Sequence, residues 1–316
     1  MTTLSPTGRR TSPSASHEQP RKRRTTTWAA VAFVAPLVLY LLVFYVYPLA
    51  ENLTMSLHRF DRGSFVRGGA PFVGLDIYRE VIADPKFWRV VGQTAIFTVV
   101  SIVVQYVVGL ALAVFFHRGG FRLSASLRGM FLVPWLLPVI VSGTVWQWMM
   151  NPDSGILNTF LGVFGVDPIW WLNSDNALAS VTIANIWLGI PFNLVILYSG
   201  LQNIPGDLYE AASLDGASAW QQFLRITMPL LRPVSIITVL LGLVYTLKVV
   251  DIIWIMTTGA GTSQTLATWS YGMAFGKGAS TVIRYSQASA VGTILLLVAL
   301  AFGLVYLFLQ RKQREA

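Results

Sequence analysis

Cysteine is absent from the 316 residues of this chain, which excludes disulfide bonds and thiolate metal ligands. Charged residues are scarce, at 12% of the sequence, whereas soluble domains contain about 25%. The three histidines, His17, His58 and His117, lack the spacing of a metal site. Catalytic residue types are not clustered elsewhere either, so the sequence argues against an enzyme and against an ordinary soluble domain.

Long apolar runs are abundant instead. Hydrophobic residues make up 54% of the chain, and several runs reach the roughly 20 residues that a helix needs to cross a bilayer. We therefore predict an all-α integral membrane protein with six transmembrane helices, at about residues 29–49, 90–116, 127–150, 177–199, 233–257 and 288–309.

The net charge of +9 falls on one side of this predicted topology. If both termini are cytoplasmic, the inside segments hold the whole excess of Lys and Arg, whereas basic and acidic residues balance in the outside segments. This is the positive-inside pattern of a membrane protein, so no nucleic-acid partner is expected. Residues 1–27 are predicted to be a disordered basic cytoplasmic tail, in which the RKRR cluster at 21–24 anchors the topology and favours anionic lipid.

A polar segment, residues 202–232, interrupts the apolar part of the chain between spans four and five. Asp207 and Glu210 have the spacing of a capping box that opens a short helix, and Gly216 is a natural helix terminator. Ser218 and Gln221 repeat the pattern and predict a second helix. The polar face carries acids rather than the Lys and Arg of a lipid-binding helix, so docking to a protein is predicted.

This segment resembles the EAA loop of ATP-binding-cassette importer permeases. The matching residues are Glu210, Ala211 and Ala212, then Asp215, Gly216 and Ala217, followed by Phe223, Ile226, Pro229 and Pro233. Flanking segments, WLGIPFNLVILYSGLQNIP before the loop and KVVDIIWIMTTGAG after it, resemble the carbohydrate-uptake branch, the maltose- and glycerol-phosphate-type permeases. The likeness covers roughly residues 87–309.

The resemblance implies a type I importer permease fold over residues 28–316 and a role in ATP-driven sugar uptake. It implies four partners: a second related permease, an ATPase dimer, an extracytoplasmic sugar-binding protein and the sugar itself, for which a disaccharide is preferred. The EAA residues would dock to the ATPase, which would bind ATP and magnesium. No cofactor or metal is expected in this chain, because the segment 272–277 lacks the length and the Ser or Thr of a phosphate loop. The expected location is a bacterial plasma membrane.

Span four carries a stripe of polar or small residues. Thr182, Asn185, Gly189 and Asn193 fall within about one-third of a helical turn of one another. Such a stripe either lines a cavity or makes contacts between helices, and the sequence leaves both interpretations open.

Span five contains two ionisable residues, Lys248 and Asp251, which three-residue spacing predicts to be neighbours on one side of a helix. Charges within a span indicate function by default, although a mutually neutralised structural pair is the alternative. Asn side chains donate and accept hydrogen bonds, which suits hydroxyl-rich ligands. The predicted residues of the substrate pathway are Asn185, Asn193, Tyr245, Lys248 and Asp251.

The remaining features concern loops and prolines. Pro134, Pro138 and Pro191 predict kinks in spans three and four. Residues 50–89 are predicted to be a turn-rich external surface that ends in a short interfacial helix. Trp170 and Trp171 are interpreted as an aromatic belt at the headgroup level or as a platform on which a sugar ring stacks.

Two other functions compete with the importer. A secondary carrier driven by an ion gradient would use Lys248 and Asp251 as its ion site, but it leaves the acidic loop unexplained. An integral membrane enzyme is disfavoured because catalytic residues are not clustered.

Overall fold

A computed structural model describes residues 25–60, 63–64, 69–118, 124–276 and 283–315. The described residues are almost entirely helical, and an isolated antiparallel bridge joins His58 to Phe72. The chain divides into two compact units between Ala50 and Glu51. Most of the predicted tail, residues 1–24, lies outside the described residues.

The helices, in chain order, are α1 (Thr25–Leu41), α2 (Tyr47–Leu57), α3 (Asp76–Ala83), α4 (Pro85–Arg118), α5 (Ser124–Leu136), α6 (Val139–Met149), α7 (Ile156–Val163), α8 (Ala177–Gln202), α9 (Asp207–Leu214), α10 (Ala219–Gln222), α11 (Met228–Leu247), α12 (Asp251–Thr257), α13 (Leu266–Phe275) and α14 (Tyr285–Glu315). Two π-helical segments, Leu42–Val46 and Phe223–Thr227, connect α1 to α2 and α10 to α11.

Six spans are present if one bent pair is counted as a single span. Among the described residues, five helices are long and apolar enough to cross a membrane, and α5 and α6 pass the same test together although they meet at 96°. The break falls at Pro138, which lacks an N–H and disfavours helical geometry at the preceding residue. Pro134 and Pro191 stay inside α5 and α8. The prediction of six helical spans is confirmed, and Pro138 breaks a span rather than kinking it.

Span five is also discontinuous, which the sequence did not predict. Helix α11 ends at Leu247, and α12 begins at Asp251. The intervening Val249 and Val250 are β-branched and lose side-chain freedom in a helix, which weakens the helix there. Beyond the break, α12 packs closely on α6: a Cβ on Gly143 would lie 2.7 Å from Cγ2 of Ile255. The predicted single helix over 233–257 is therefore wrong.

Three buried apolar clusters hold residues 51–316 together. The first joins α3 to α4, α13 and α14; the second joins α4, α8 and α12; the third joins α4, α8 and α11. Ile77 and Val81 of α3 are buried in the first cluster. The segment 50–89 thus contributes to the core, which corrects the prediction of a turn-rich surface. The prediction missed α3 because glycine-rich neighbours mask its short apolar pattern.

Within the segment 50–89, an ion pair holds Arg59 to α3. Arg59 donates a hydrogen bond to the carboxylate of Glu80 on α3, and Gln287 of α14 donates to the other carboxylate oxygen at 3.4 Å. The hydrogen bond from Arg59 lowers the pKa of Glu80 below its ordinary value of 4.5, and the same bond raises the pKa of Arg59. A carboxylate with a lowered pKa stabilises the fold above its unfolded-state pKa, and this contribution is lost as the pH falls through the folded-state pKa.

Replacing Glu80 with glutamine is expected to lower stability at neutral pH by up to about 1 kcal/mol, because the pair is solvent-exposed. Below pH 4.5, the stability of the variant should fall less steeply with decreasing pH than that of the wild type. Thermal melts in detergent from pH 7 to pH 4 measure both effects. Asp76→Asn is the matched control, since Asp76 pairs with Arg79 on the same helix at greater exposure. An identical pH profile for wild type and Glu80→Gln would contradict the assignment.

Candidate functional site

The polar segment between α8 and α11 forms a compact turn. Gly216 adopts φ +77°, and its N–H donates to the carbonyl of Ser213 while Ala217 N–H donates to the carbonyl of Ala212 at 2.9 Å. These two bonds form a Schellman motif, which satisfies the last carbonyls of α9. The prediction that Gly216 terminates the helix is confirmed.

The two predicted capping boxes have different outcomes. Ser218 and Gln221 form one: Ser218 N–H donates to Oε1 of Gln221 at 2.7 Å, and Gln221 N–H donates to Oγ of Ser218 at 3.3 Å. The box predicted for Asp207 and Glu210 is wrong, because Gly206 is the N-cap and no side chain caps α9. Both acids lie in the first turn of α9, where a negative charge stabilises the helix through its dipole.

The loop from α9 to α10 presents acids, small residues and three large apolar side chains, Leu208, Leu214 and Trp220. Of the predicted docking residues, Glu210, Ala211, Asp215 and Gly216 are exposed, whereas Ala212 and Ala217 are half-buried. Leu214 is 90% exposed at the C-terminal end of α9. Several exposed apolar side chains close together in the sequence, including a tryptophan, make this loop a candidate protein contact surface.

A cavity of about 500 Å³ lies where both broken spans meet α8. The break between α5 and α6 and the break between α11 and α12 both contribute to its wall. The polar and aromatic residues that line it are Gln105, Trp135, Asn185, Phe192, Tyr245, Thr246, Lys248 and Asp251. A volume of this order falls in the range of small-molecule sites, about 300–1,000 Å³.

Four of the five predicted pathway residues line this cavity, namely Asn185, Tyr245, Lys248 and Asp251. Asn193 does not: its side chain donates to the carbonyl of Gly189 at 3.0 Å and is 4% exposed. The structure therefore brings together residues from α8, α11 and the start of α12, and it leaves Asn193 in the packed interface behind them.

The polar stripe on α8 faces α4. Asn185 donates to Oγ of Ser101 at 3.0 Å, and its backbone carbonyl accepts a hydrogen bond from Nε2 of Gln105 at 2.9 Å. Gly189 lies directly under the Gln105 side chain. Of the two interpretations of the stripe, interhelical contact applies to Asn185, Gly189 and Asn193, whereas Thr182 donates to the carbonyl of Leu178 in its own helix. Asn185 and Gly189 reach the cavity edge as well.

Lys248 and Asp251 are not neighbours on one helix face, because the helix ends between them. The ion pairs among the described residues are Arg59–Glu80 and Arg79–Asp76, so Lys248 and Asp251 do not form one. Lys248 Nζ lies 6.0 Å from the ring centroid of Tyr245, and both charged residues are exposed toward the cavity. The prediction that Lys248 and Asp251 are neighbours on one helix face is therefore wrong. Of the two interpretations, the neutralised pair does not apply, because the structure has two separate charges beside a break.

This arrangement predicts how alanine variants behave. Lys248→Ala and Asp251→Ala should each give the wild-type yield of folded protein, and so should the double variant, because the two charges do not pair. Purification yield and monodispersity in detergent measure this. Rescue of low-yield single variants by the double variant would show that the two charges pair.

Sequence reasoning missed four of the polar and aromatic lining residues, namely Gln105, Trp135, Phe192 and Thr246. Trp135 and Phe192 form an edge-to-face pair with ring centroids 6.4 Å apart, and Gln105 closes the cavity from α4. Gln105 had a usable signal, because it is an isolated amide in a long apolar run. The two aromatics had none, since aromatic residues are common throughout the spans.

The two neighbouring tryptophans outside the spans, Trp170 and Trp171, have different environments. Trp171 donates its indole N–H to Oδ1 of Asn158 at 2.9 Å and packs on the second apolar cluster. Trp170 is 62% exposed. Trp170 is thus the member of the pair that is available to a headgroup or a ligand.

Broken spans around a polar and aromatic cavity, with a short acidic two-helix loop projecting from them, define a helical membrane transport subunit, a permease. Residues 105–315 match the family described as "Binding-protein-dependent transport system inner membrane component", and the chain belongs to that family. It is therefore a multi-pass membrane permease subunit of the ATP-binding-cassette importer class, as the resemblance implied.

Relatives of similar length support this assignment. The chain is 36% identical to the trehalose/maltose transport system permease protein MalF of Thermococcus litoralis, over 89% of this chain and 93% of that protein. It is 30% identical to the sulfoquinovosyl glycerol transport system permease protein SmoG of Agrobacterium fabrum, over 88% and 89%. It is 29% identical to the diacetylchitobiose uptake system permease protein DasB of Streptomyces coelicolor, over 85% and 82%.

Solved structures show the same fold. The chain superposes with a TM-score of 0.77 and 20% identity on a chain of a bacterial ABC transporter that imports the acidic polysaccharide alginate, over 91% of this chain and 96% of that one. A second alginate transporter structure, in complex with its alginate pentasaccharide-bound periplasmic protein, gives a TM-score of 0.75. The predicted type I importer permease fold is confirmed.

Proposed function

We propose that this permease is one of two membrane subunits of a sugar importer and forms half of its translocation pathway. The cavity carries the proposal. Its aromatic rings, Trp135, Phe192 and Tyr245, suit the apolar faces of a sugar. Gln105 and Asn185 reach its edge with amides that also bond between α4 and α8, and amides of this kind suit hydroxyl groups. Relatives named for trehalose/maltose and diacetylchitobiose transport favour a disaccharide.

The loop from α9 to α10 is proposed to dock on a separate ATPase subunit, which binds ATP and magnesium. Glu210, Ala211, Asp215 and Gly216 supply an exposed acidic surface of low bulk, and Leu214 supplies an apolar anchor. Docking requires the loop to lie in the cytoplasm. The charge distribution supports this orientation, with both termini on the same side as the loop.

Transport then follows from movement of two permeases about the cavity. ATP binding brings the two ATPase subunits together, the docked loops follow, and the permeases rotate from an inward-open to an outward-open state. An extracytoplasmic sugar-binding protein delivers the sugar to the outward-open cavity. Trp170, exposed in the external segment between α7 and α8, is available to that side.

Affinity purification of the tagged chain from its native membrane, in mild detergent, tests the assembly. Recovery of an ATPase and a second permease in comparable amounts supports the proposal. Recovery of the folded chain alone contradicts it and favours an ion-driven carrier that uses Lys248 and Asp251.

Uptake of labelled maltose and trehalose by membrane vesicles then tests the substrate class. ATP-dependent uptake that survives an uncoupler supports the importer. Uptake that collapses with an uncoupler while ATP persists contradicts it.

A further inference from the structure

Helix α9 contacts the rest of the protein through very few side chains. Of its eight residues, Tyr209 and Ala212 are partly buried and the other six are exposed. The ring of Tyr209 packs against the third apolar cluster. Because alanine offers little contact area, Tyr209 makes the main contact of α9 with the transmembrane core.

The hydroxyl of Tyr209 reaches a buried partner. It lies 2.9 Å from Oγ1 of Thr227, in a hydrogen bond in which either hydroxyl can donate, and Thr227 is 3% exposed. Thr227 is the last residue of the π-helical segment Phe223–Thr227, immediately before α11. Single π-helical turns within a longer helix occur frequently at functional positions.

A second hydrogen bond joins α9 to the segment that precedes α11, and it is exposed to solvent. Nε2 of Gln222 donates to Oγ of Ser213 at 2.9 Å, and both side chains lie near the surface of the loop. Water competes for such a bond, so it holds the two segments together weakly. The Tyr209–Thr227 contact is partly shielded and keeps more of its strength.

Helix α11 carries this contact toward the cavity. It runs without interruption for 20 residues, about 30 Å, from the residue after Thr227 to Leu247. Its last two turns, including Leu241, Tyr245 and Thr246, line the cavity. A displacement of α9 therefore reaches the cavity wall along this helix, which Pro233 does not interrupt, provided that α9 and α11 move together.

We propose that Tyr209 is the positioning residue that makes the docking helix α9 and helix α11 move as one body, through its hydrogen bond to Thr227. This inference rests on the proposed function, because it assumes that an ATPase docks on α9. It assigns Tyr209 no contact with substrate or nucleotide. Tyr209 instead determines how strongly a change in the nucleotide state of the ATPase changes the accessibility of the cavity.

The absence of cysteine from the chain provides a direct readout. A single Tyr245→Cys substitution places a thiol on the cavity wall, where Tyr245 is 60% exposed. The maleimide labelling rate of this thiol is measured in the purified whole complex, without nucleotide and after trapping with ATP and vanadate. The ratio of the two rates is the response of the cavity to the ATPase.

Adding Tyr209→Phe to this background should reduce the response roughly threefold to tenfold, the change in an equilibrium that one lost hydrogen bond produces. The complex should still assemble and hydrolyse ATP. Thr227→Val should have the same effect, and the two together should be no worse than either alone, since they remove one bond. Thr227→Ser keeps the hydroxyl, so it should give the same response as the Tyr245→Cys parent.

Tyr106→Phe is the matched control. Tyr106 donates to Oγ of Ser235 on α11 at 2.8 Å, so this variant removes an equivalent bond in the same cluster without involving α9. Its response should equal that of the Tyr245→Cys parent. A full response in Tyr209→Phe, or an equal loss in Tyr106→Phe, overturns the inference.

Failure of the proposed function gives a different result. If the complex that carries only Tyr245→Cys contains no ATPase, or if nucleotide does not change its labelling rate, then both the docking model and this inference are overturned. If the parent responds and Tyr209→Phe responds equally, the docking model stands and the role of Tyr209 alone is overturned.

Discussion

Replacing Gly216 with valine is expected to reduce ATP-dependent uptake by more than about tenfold while the protein still inserts and folds. The reason is conformational. Gly216 adopts φ +77°, where an L-residue costs about 1–2 kcal/mol and a β-branched one costs more. Steric bulk is not the cause, because a Cβ at this position meets no atom within 4 Å. The strain displaces the Schellman turn and with it the docking surface of α9.

Gly206 provides the matched control at the opposite end of the same helix. A Cβ there also meets open space, but Gly206 has φ −60° and ψ −36°, which any residue adopts. Gly206→Ala should therefore keep normal uptake. Co-purification of the ATPase and vesicle uptake measure both variants. Wild-type uptake by Gly216→Val would show that the turn conformation is not needed for coupling.

Replacing Gly109 with valine is expected to lower stability by about 1–3 kcal/mol or to prevent folding, because overpacking at this site meets rigid atoms. A Cβ on Gly109 would lie 2.5 Å from Cβ of Asn193, and 3.2 Å from both the backbone carbon of Asn193 and the backbone nitrogen of Leu194. Helices α4 and α8 would have to separate. The Asn185–Ser101 and Gln105–Asn185 hydrogen bonds would be lost with that separation.

Gly92 lies on the same helix, and a Cβ added there meets nothing within 4 Å. Gly92→Ala should keep the wild-type melting temperature, so a loss confined to Gly109→Val identifies the close approach as the cause. The measurement is a thermal melt in detergent together with the yield of monodisperse protein. Equal melting temperatures for wild type and Gly109→Val would contradict the packing of α4 on α8.

Local sequence signals predicted the features that depend on a few neighbouring residues. The Ser218–Gln221 capping box and the Gly216 turn were predictable, since each is decided within one helical turn. The capping box at Asp207 was not, because Gly206 extends the helix by one position and leaves Asp207 inside its first turn. Capping boxes predicted from spacing alone are therefore sensitive to a shift of one residue.

The charged residues within the spans show a second limit of prediction from the sequence. Three-residue spacing made Lys248 and Asp251 neighbours on a continuous helix, but the chain breaks between them. The break accompanies the packing of α12 on Gly143 of α6, a contact between positions more than 100 residues apart. Composition reveals that such charges are unusual, but it does not reveal how they are placed.

The sequence by itself determined that this chain is a multi-span helical membrane protein and that a polar two-helix loop separates spans four and five. These properties follow from hydrophobic run length, charge and local turn chemistry, which act over short stretches. The tertiary structure alone decided that Gln105, Trp135, Asn185, Phe192, Tyr245, Lys248 and Asp251 share one cavity and that Asn193 does not. That outcome depends on how closely the backbones of α4 and α8 approach at Gly109 and on where the two spans break. Both are consequences of packing between distant segments, in which several helices must fit together at once.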